Sequence, residues 1–186
     1  IFLTPDLDYK VEVTKAIRQS KIKISKKYIY DTKPTNLTKQ IEDITNYKIR
    51  KQNLADEILR VKKSDLEDKE KQLEKLEKRY TIGNVKFDSV IIADFEESLK
   101  SVITSLVYTD VSPKNKYFIT FNQWFDESFL KEENVQPLYY PSINKKNLES
   151  FNKKFFKEYN TYPNHLSLLS YDPVSYTHLT LPTTVS

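Results

Sequence analysis

The sequence predicts an α/β fold in which a mostly parallel open sheet carries helices on both faces. Two observations support this prediction. Short β-branched segments alternate with helical segments of ~10–15 residues between Phe87 and Asp172, which is the order of βαβ units. The segment FDSVIIAD, residues 87–94, is a buried-strand pattern that ends on a carboxylate, and a helical pattern begins immediately after it.

The first part of the chain supplies two strands and two helices of this fold. A strand is expected at Ile1–Thr4, where IFLTPD leaves through a Pro-Asp turn, and a helix is expected over Leu7–Gln19. The second strand is expected at Ser25–Tyr30. Pro34 disfavours helix at the residue before it, so we expect the next helix to begin later, with Asn36 as its N-cap.

The second part of the chain continues the alternation. Strands are expected at Ser89–Ile92 and Tyr117–Thr120, with a helix over Phe95–Tyr108 between them. A short strand is expected within LYYPS, residues 138–142. The amphipathic pattern over Asn144–Tyr159 predicts the last helix.

Residues 48–79 interrupt this order. Of these 32 residues, 11 are basic and 8 are acidic, and the apolar residues between them are sparse. Ser64 followed by Glu67 matches a capping box, so we expect a helical hairpin that breaks near Lys63. Three interpretations are open: a partner-binding arm, a short coiled coil, or a solvated insertion that links two core elements.

Composition excludes several classes of function. Gly83 is the only glycine, so the glycine-rich loops that hold phosphates are absent. The chain has no Cys and two His, which leaves no thiolate site and makes a histidine metal site improbable, so we predict no cofactor. Acidic and basic residues are mixed at a net charge of +4, which does not favour nucleic acid as a partner. No apolar run reaches the ~18–20 residues of a membrane span.

The two ends of the sequence differ from the part between them. The last residues, PVSYTHLTLPTTVS (173–186), closely resemble translated sequencing-adapter sequence, with a disordered tail as the alternative, and they are excluded from functional reasoning. Because the sequence opens with IFLTPD and contains no Met, we expect a fragment whose targeting segment is missing. The predicted domain is therefore residues 1–172, with 48–79 as its charged helical insertion.

The order of these segments resembles the type I periplasmic-binding-protein family. The segments that carry the resemblance are FDSVIIADF, a helix ending in LVYTDVS, YFITFNQW, LYYPS, and FNKKFFKEYNTYP ahead of SLLSYD. The spacing is similar to the branch of penicillin-binding-protein activator lipoproteins, and leucine-binding transport receptors belong to the same family. The chain departs from the family pattern by lacking glycines after its strands and at Asn160.

The resemblance implies one lobe of a two-lobed, non-enzymatic binding protein in the periplasm, where a lipid anchor would hold it if the missing segment carries one. Two functions remain open. The first is an activator-like interaction protein whose partner is a cell-wall synthase. The second is a solute receptor that closes on an amino acid or a similar small molecule and delivers it to an ABC-transporter permease. Scarce glycine favours the interaction protein.

Candidate ligand-binding residues are those at the predicted carboxyl ends of strands, where ligands bind in open parallel sheets. Asp94 is either a charge partner for a ligand amine or a helix cap. Trp124 either stacks on a ligand or partner, or closes the core beneath its loop. No catalytic or metal-binding residue is predicted. The full set of candidates is Asp6, Asp94, Asn122, Gln123, Trp124 and Tyr140.

Overall fold

The fold is α/β, built on a five-stranded sheet in which every neighbouring pair of strands is parallel. The computed structural model describes residues 1–121, 133–141 and 145–163. The chain divides into two compact units, Ile1–Pro141 and Ser142–Ser186, and the sheet belongs to the first. The parallel α/β architecture predicted from the sequence is confirmed.

The strands lie in the order β2-β1-β3-β4-β5 across the sheet. Two of the four main strands have the predicted bounds; β1 is shifted by one residue at both ends, and β2 begins two residues later than predicted. The strands are β1 Phe2–Pro5, β2 Lys27–Tyr30, β3 Ser89–Ile92, β4 Tyr117–Thr120 and β5 Leu138–Tyr139.

The helices of the described residues connect these strands and follow the last one. A short 3₁₀ turn at Glu133–Val135 precedes β5. The helices are α1 Lys10–Gln19, α2 Pro34–Ile44, α3 Tyr47–Lys62, α4 Lys69–Glu77, α5 Glu96–Tyr108 and α6 Lys145–Tyr159.

Three predicted helix starts are wrong. The helix α1 begins at Lys10 rather than at Leu7, because residues 6–9 form a turn. The helix α2 begins at Pro34 rather than after Asn36, because proline fits the first helical position, where its missing N–H would have no partner. The Asn36 side chain instead donates to Asp31 at 2.7 Å. Ser64 does not cap α4, since its hydroxyl donates back to the Val61 carbonyl at 2.8 Å at the end of α3.

The main core lies between one face of the sheet and the helices α2 and α5. The strand residues that alternate toward this face are buried with Leu37 and Ile41 of α2. The partner helix α5 contributes four fully buried side chains, namely Leu99, Val102, Ile103 and Leu106. Phe2 is not part of this cluster but is also fully buried, so both faces of β1 are covered.

The charged segment forms the predicted helical pair, α3 and α4, with its break at residues 63–68. The helix α4 buries none of its side chains. The helix α3 buries Tyr47, Arg50, Leu54 and Val61 along one face. The pair is therefore solvated along α4 and attached to the rest of the unit through α3.

Arg50 is the main polar attachment of α3. Its guanidinium donates to the Gly83 carbonyl at 3.1 Å, the Thr109 carbonyl at 2.9 Å and the Thr81 hydroxyl at 2.7 Å. The Asp110 carboxylate lies 3.7 Å away and accepts from Thr81 at 2.5 Å. These partners join α3 to the segment before β3 and to the turn before β4, at the amino edge of the sheet.

In the second unit, α6 carries a row of aromatic side chains. Phe151, Phe155 and Tyr159 are spaced four residues apart, and their ring centroids are separated by 5.7 Å and 4.6 Å. Phe151 is buried, whereas Tyr159 is largely exposed. Of the apolar residues of the predicted amphipathic pattern, Phe151 is buried, Leu148 and Phe155 are half-buried, and Phe156 is 42% exposed.

Candidate functional site

The candidate site is the carboxyl edge of the sheet, where the ends of the parallel strands meet. Since β1 and β3 are adjacent and parallel, Asp6 and Asp94 follow neighbouring strand ends. Tyr140 follows β5 at the same edge, two strands beyond β3. The prediction placed the site at this edge, and the topology puts these three residues there.

Asp94 is the best-defined group of the edge. Its residue is only 2% exposed. One carboxylate oxygen, Oδ1, accepts from the Phe95 backbone N–H at 2.8 Å and from the Tyr9 hydroxyl at 3.1 Å. The other, Oδ2, accepts from the Ser98 hydroxyl at 2.6 Å and from the Tyr30 hydroxyl. An ionised carboxylate has about four acceptor positions, so these donors occupy them.

Strand alternation explains why Tyr30 and Asp94 meet although 64 residues separate them. Pro5 of β1 pairs with Tyr30 of β2, and Leu3 pairs with Ile92 of β3. Continuing the second register by two residues places Asp94 on the other side of Pro5, on the same face of the sheet. Two strand spacings are roughly 9.5 Å, a gap that the long Tyr30 side chain and the Asp94 carboxylate close together.

Both tyrosines are held in their neutral form. Burial raises the pKa of Tyr30 far above its ordinary value, and the Asp94 charge and hydrogen bond raise it further. The pKa of Tyr9 is raised by the same causes in the same order. Both hydroxyls therefore remain protonated donors to the carboxylate at neutral pH.

Asp94 also stands at the amino end of α5. Phe95 occupies the N-cap position and has an extended backbone, with no side-chain cap of its own. The Asp94 carboxylate accepts from the Phe95 N–H and from Ser98 in the first turn, and its charge is favourable at this end of the helix. Asp94 is therefore not the N-cap that one interpretation predicted, because Phe95 holds that position and Asp94 stands one residue before it. Its role as a charge partner for a ligand amine stays a prediction.

Aromatic rings line the edge beside Asp94. The Tyr9 ring meets the Phe95 ring edge-on, with 6.1 Å between the centroids. Phe95 in turn lies 5.6 Å from Phe121, which follows β4. All three are half-buried. The row therefore covers the ends of β1, β3 and β4 with apolar surface that remains partly accessible.

The other predicted site residues have different surroundings. Asp6 is exposed, and the Lys10 side chain one helical turn later donates to its carboxylate. Tyr140 is half-buried and packs against the main core. Asn122, Gln123 and Trp124 lie outside the described residues, so the interpretations of Trp124 stay predictions.

Sequence reasoning missed the residues that hold Asp94. Tyr9, Tyr30 and Ser98 were not among the predicted site residues, and neither were Phe95 and Phe121. One local signal existed, because Ser98 stands four residues after Asp94 on the helix that follows it. No local signal connects Tyr30 with Asp94, since their contact depends on the register of three strands.

Across residues 1–121, 133–141 and 145–163, no group of three acidic or histidine side chains could hold a metal ion. None of the described helices combines the length and apolar character that crossing a membrane requires. The chain matches no protein-family model, no curated protein and no solved structure.

Proposed function

We propose that this chain is a lobe of a non-enzymatic periplasmic binding protein of the type I family, and that it acts as an interaction protein. Its partner would be a cell-wall synthase, and the carboxyl edge of the sheet would be the contact surface. The observation that carries this proposal is the Asp94 carboxylate, whose acceptor positions are occupied by Tyr9, Tyr30, Ser98 and the Phe95 N–H.

A receptor for an amino acid needs polar groups that converge on the ligand and are free to bind it. Asp94 would have to exchange its intramolecular donors for the ligand amine, and burial makes that exchange unfavourable. The aromatic row beside Asp94 is, by contrast, apolar and partly exposed. Aromatic side chains are enriched in the centres of protein–protein interfaces.

One exposed apolar residue, Leu7, extends this surface. Leu7 is 41% exposed, and it follows Asp6 at the end of β1. A partner that covers Leu7, Phe95 and Phe121 would bury apolar area and leave the Asp94 network unchanged. The alternative function, an amino-acid receptor of an ABC transporter, requires that the same edge remain open to a small ligand.

Photo-crosslinking from defined positions tests the proposal. A benzoylphenylalanine at Leu7 places the crosslinker at the carboxyl edge. The control is Tyr117, which is 60% exposed and begins β4 at the amino edge. With the periplasmic domain of a cell-wall synthase, we expect a crosslink from position 7 and none from position 117. Equal crosslinking from both positions, or from neither, would reject the carboxyl edge as the contact surface.

A further inference from the structure

The positive charge of the chain is concentrated in one short segment. Between Val13 and Tyr30 there are six basic residues and no acidic residue. The other 168 residues hold 24 basic and 26 acidic residues, so this segment carries more than the whole net charge of +4. We call its six cations the basic patch: Lys15, Arg18, Lys21, Lys23, Lys26 and Lys27.

The fold keeps the basic patch on one side of the first unit. It runs from the last turns of α1 through the connecting loop to the start of β2. The Phe2 backbone N–H donates to the Lys26 carbonyl at 3.0 Å, which fixes the end of the loop beside the start of β1. The loop and the first residues of β2 therefore lie at the amino edge of the sheet, opposite the Asp94 edge.

All six cations are exposed. Within the part of the chain that the structure describes, none of them forms an ion pair. In the charged helical pair some cations do form ion pairs, such as Arg60 with Glu57 and Lys78 with Glu74. The basic patch thus has no acidic residue within its own segment, whereas residues 48–79 combine 11 basic with 8 acidic residues.

The residue types favour a lipid surface over a protein as the partner. Five of the six cations are lysines, which are depleted in protein–protein interfaces, whereas arginine is enriched there. Lysine is a mobile point charge that suits a diffuse array of phosphates, and its alkyl stem can lie along apolar surface. Ile22 is 53% exposed between Lys21 and Lys23, so the loop offers an apolar side chain flanked by cations.

We propose that the basic patch binds the surface of an anionic phospholipid membrane, with the lysines near the headgroups and Ile22 at the boundary with the acyl chains. This arrangement combines electrostatic attraction with shallow apolar insertion. Each lysine near such a surface is worth about fivefold in partitioning. The amino edge would then face the membrane, and the Asp94 edge would face away from it.

Vesicle co-sedimentation of the full chain tests the proposal. The test variant replaces Lys21, Lys23, Lys26 and Lys27 with Gln. The matched control replaces four exposed lysines of the charged helical pair with Gln and so changes the net charge equally: Lys62, Lys63, Lys71 and Lys75. Thermal melting establishes that both variants are folded. We expect this result because substitutions at exposed positions usually change stability little.

We expect the chain to bind vesicles that contain phosphatidylglycerol and not vesicles of pure phosphatidylcholine. The test variant should bind at least about tenfold more weakly, while the control variant should keep most of its binding. Ile22→Ser should weaken binding at high salt, where the lysines are screened. Equal binding to both kinds of vesicle, or equal losses in both lysine variants, would overturn the proposal.

Discussion

The Tyr30 hydroxyl, on β2, donates a hydrogen bond to the Asp94 carboxylate, which follows β3, and the strand β1 lies between them. Tyr9, Ser98 and the Phe95 N–H supply the other donors. A buried carboxylate that is hydrogen-bonded in this way joins β2, β3, α5 and the segment before α1. The network is therefore expected to stabilise the fold, and its donors would compete with a ligand for Asp94.

Removal of the Tyr30 hydroxyl should destabilise the fold. In Tyr30→Phe, one buried carboxylate oxygen loses a donor, so the free energy of unfolding should fall by about 1–3 kcal/mol. The control is Tyr28→Phe on the same strand, where the hydroxyl has no hydrogen-bond partner among the described residues and the change should stay within about 0.5 kcal/mol. Urea unfolding measures both. Equal losses would show that the hydrogen bond to Asp94 contributes nothing.

The stability of the chain should fall at alkaline pH. The pKa of Tyr30 is raised in the folded state by burial and by Asp94. Above about pH 10 the unfolded chain releases the Tyr30 proton while the folded chain keeps it, so the free energy of unfolding decreases as pH rises. Below that pH this contribution is fully present. Unfolding curves on either side of pH 10 should show a smaller decrease for Tyr30→Phe than for the unmodified chain, and equal decreases would contradict the assignment.

Thr4 should be replaceable with a gain in stability. Its hydroxyl is buried and has no hydrogen-bond partner among the described residues. Thr4→Val keeps the shape and removes the unpaired polar group, so the free energy of unfolding should rise by about 1 kcal/mol. The control is Thr120→Val, because the Thr120 hydroxyl donates to the Ile92 carbonyl at 3.0 Å. The free energy of unfolding of Thr120→Val should fall by about 1 kcal/mol. Thermal melting of both variants measures the opposite changes, and equal changes would contradict the assignment of Thr4 as unpaired.

Deletion of residues 51–78, with a short linker in their place, should leave the sheet folded. Among the described residues, the main core takes no side chain from this segment. Arg50 remains, with its bonds to Gly83, Thr81 and Thr109. A cooperative melt with a modestly lower midpoint is expected, since buried Leu54 and Val61 are lost with the helices.

The matched substitution is Arg50→Met in the full-length chain. It leaves both helices in place but removes the donors to the buried Thr109 carbonyl, the buried Thr81 hydroxyl and the Gly83 carbonyl. The free energy of unfolding should therefore fall by about 1–3 kcal/mol. If the deletion abolishes cooperative melting while Arg50→Met melts like the unmodified chain, the helical pair belongs to the core rather than being attached to it.

The sequence predicts the strands well because their signal is local. The runs around Val90 and Phe118 are β-branched and aromatic, and each stands between helical patterns. The start of α2 was misplaced because two local rules compete at Pro34. Proline disfavours helix at the residue before it, yet it is favourable as the first helical residue, and the second rule decides here.

The sequence predicts where Asp94 lies in the sheet but not which residues surround it. Strand order and the end of β3 at Ile92 place Asp94 at the carboxyl edge. Its hydrogen-bond partners come from three separate segments, so they follow from the pairing of β1 with β2 and β3, which no local pattern encodes. The basic patch shows the reverse case. Its charge is visible in the sequence, but the small net charge of the whole chain conceals it.

Calorimetric titration of the chain with amino acids tests the central claim most directly. The claim is that Tyr9, Tyr30, Ser98 and the Phe95 N–H occupy the acceptor positions of the Asp94 carboxylate. In that case no amino acid should give a heat of binding that saturates, and the fluorescence of Trp124 should not change. Saturable binding of an amino acid that is abolished in a folded Asp94→Asn variant would contradict the claim. That result would mean that the carboxylate releases its own donors for a ligand amine, and it would establish the receptor function instead.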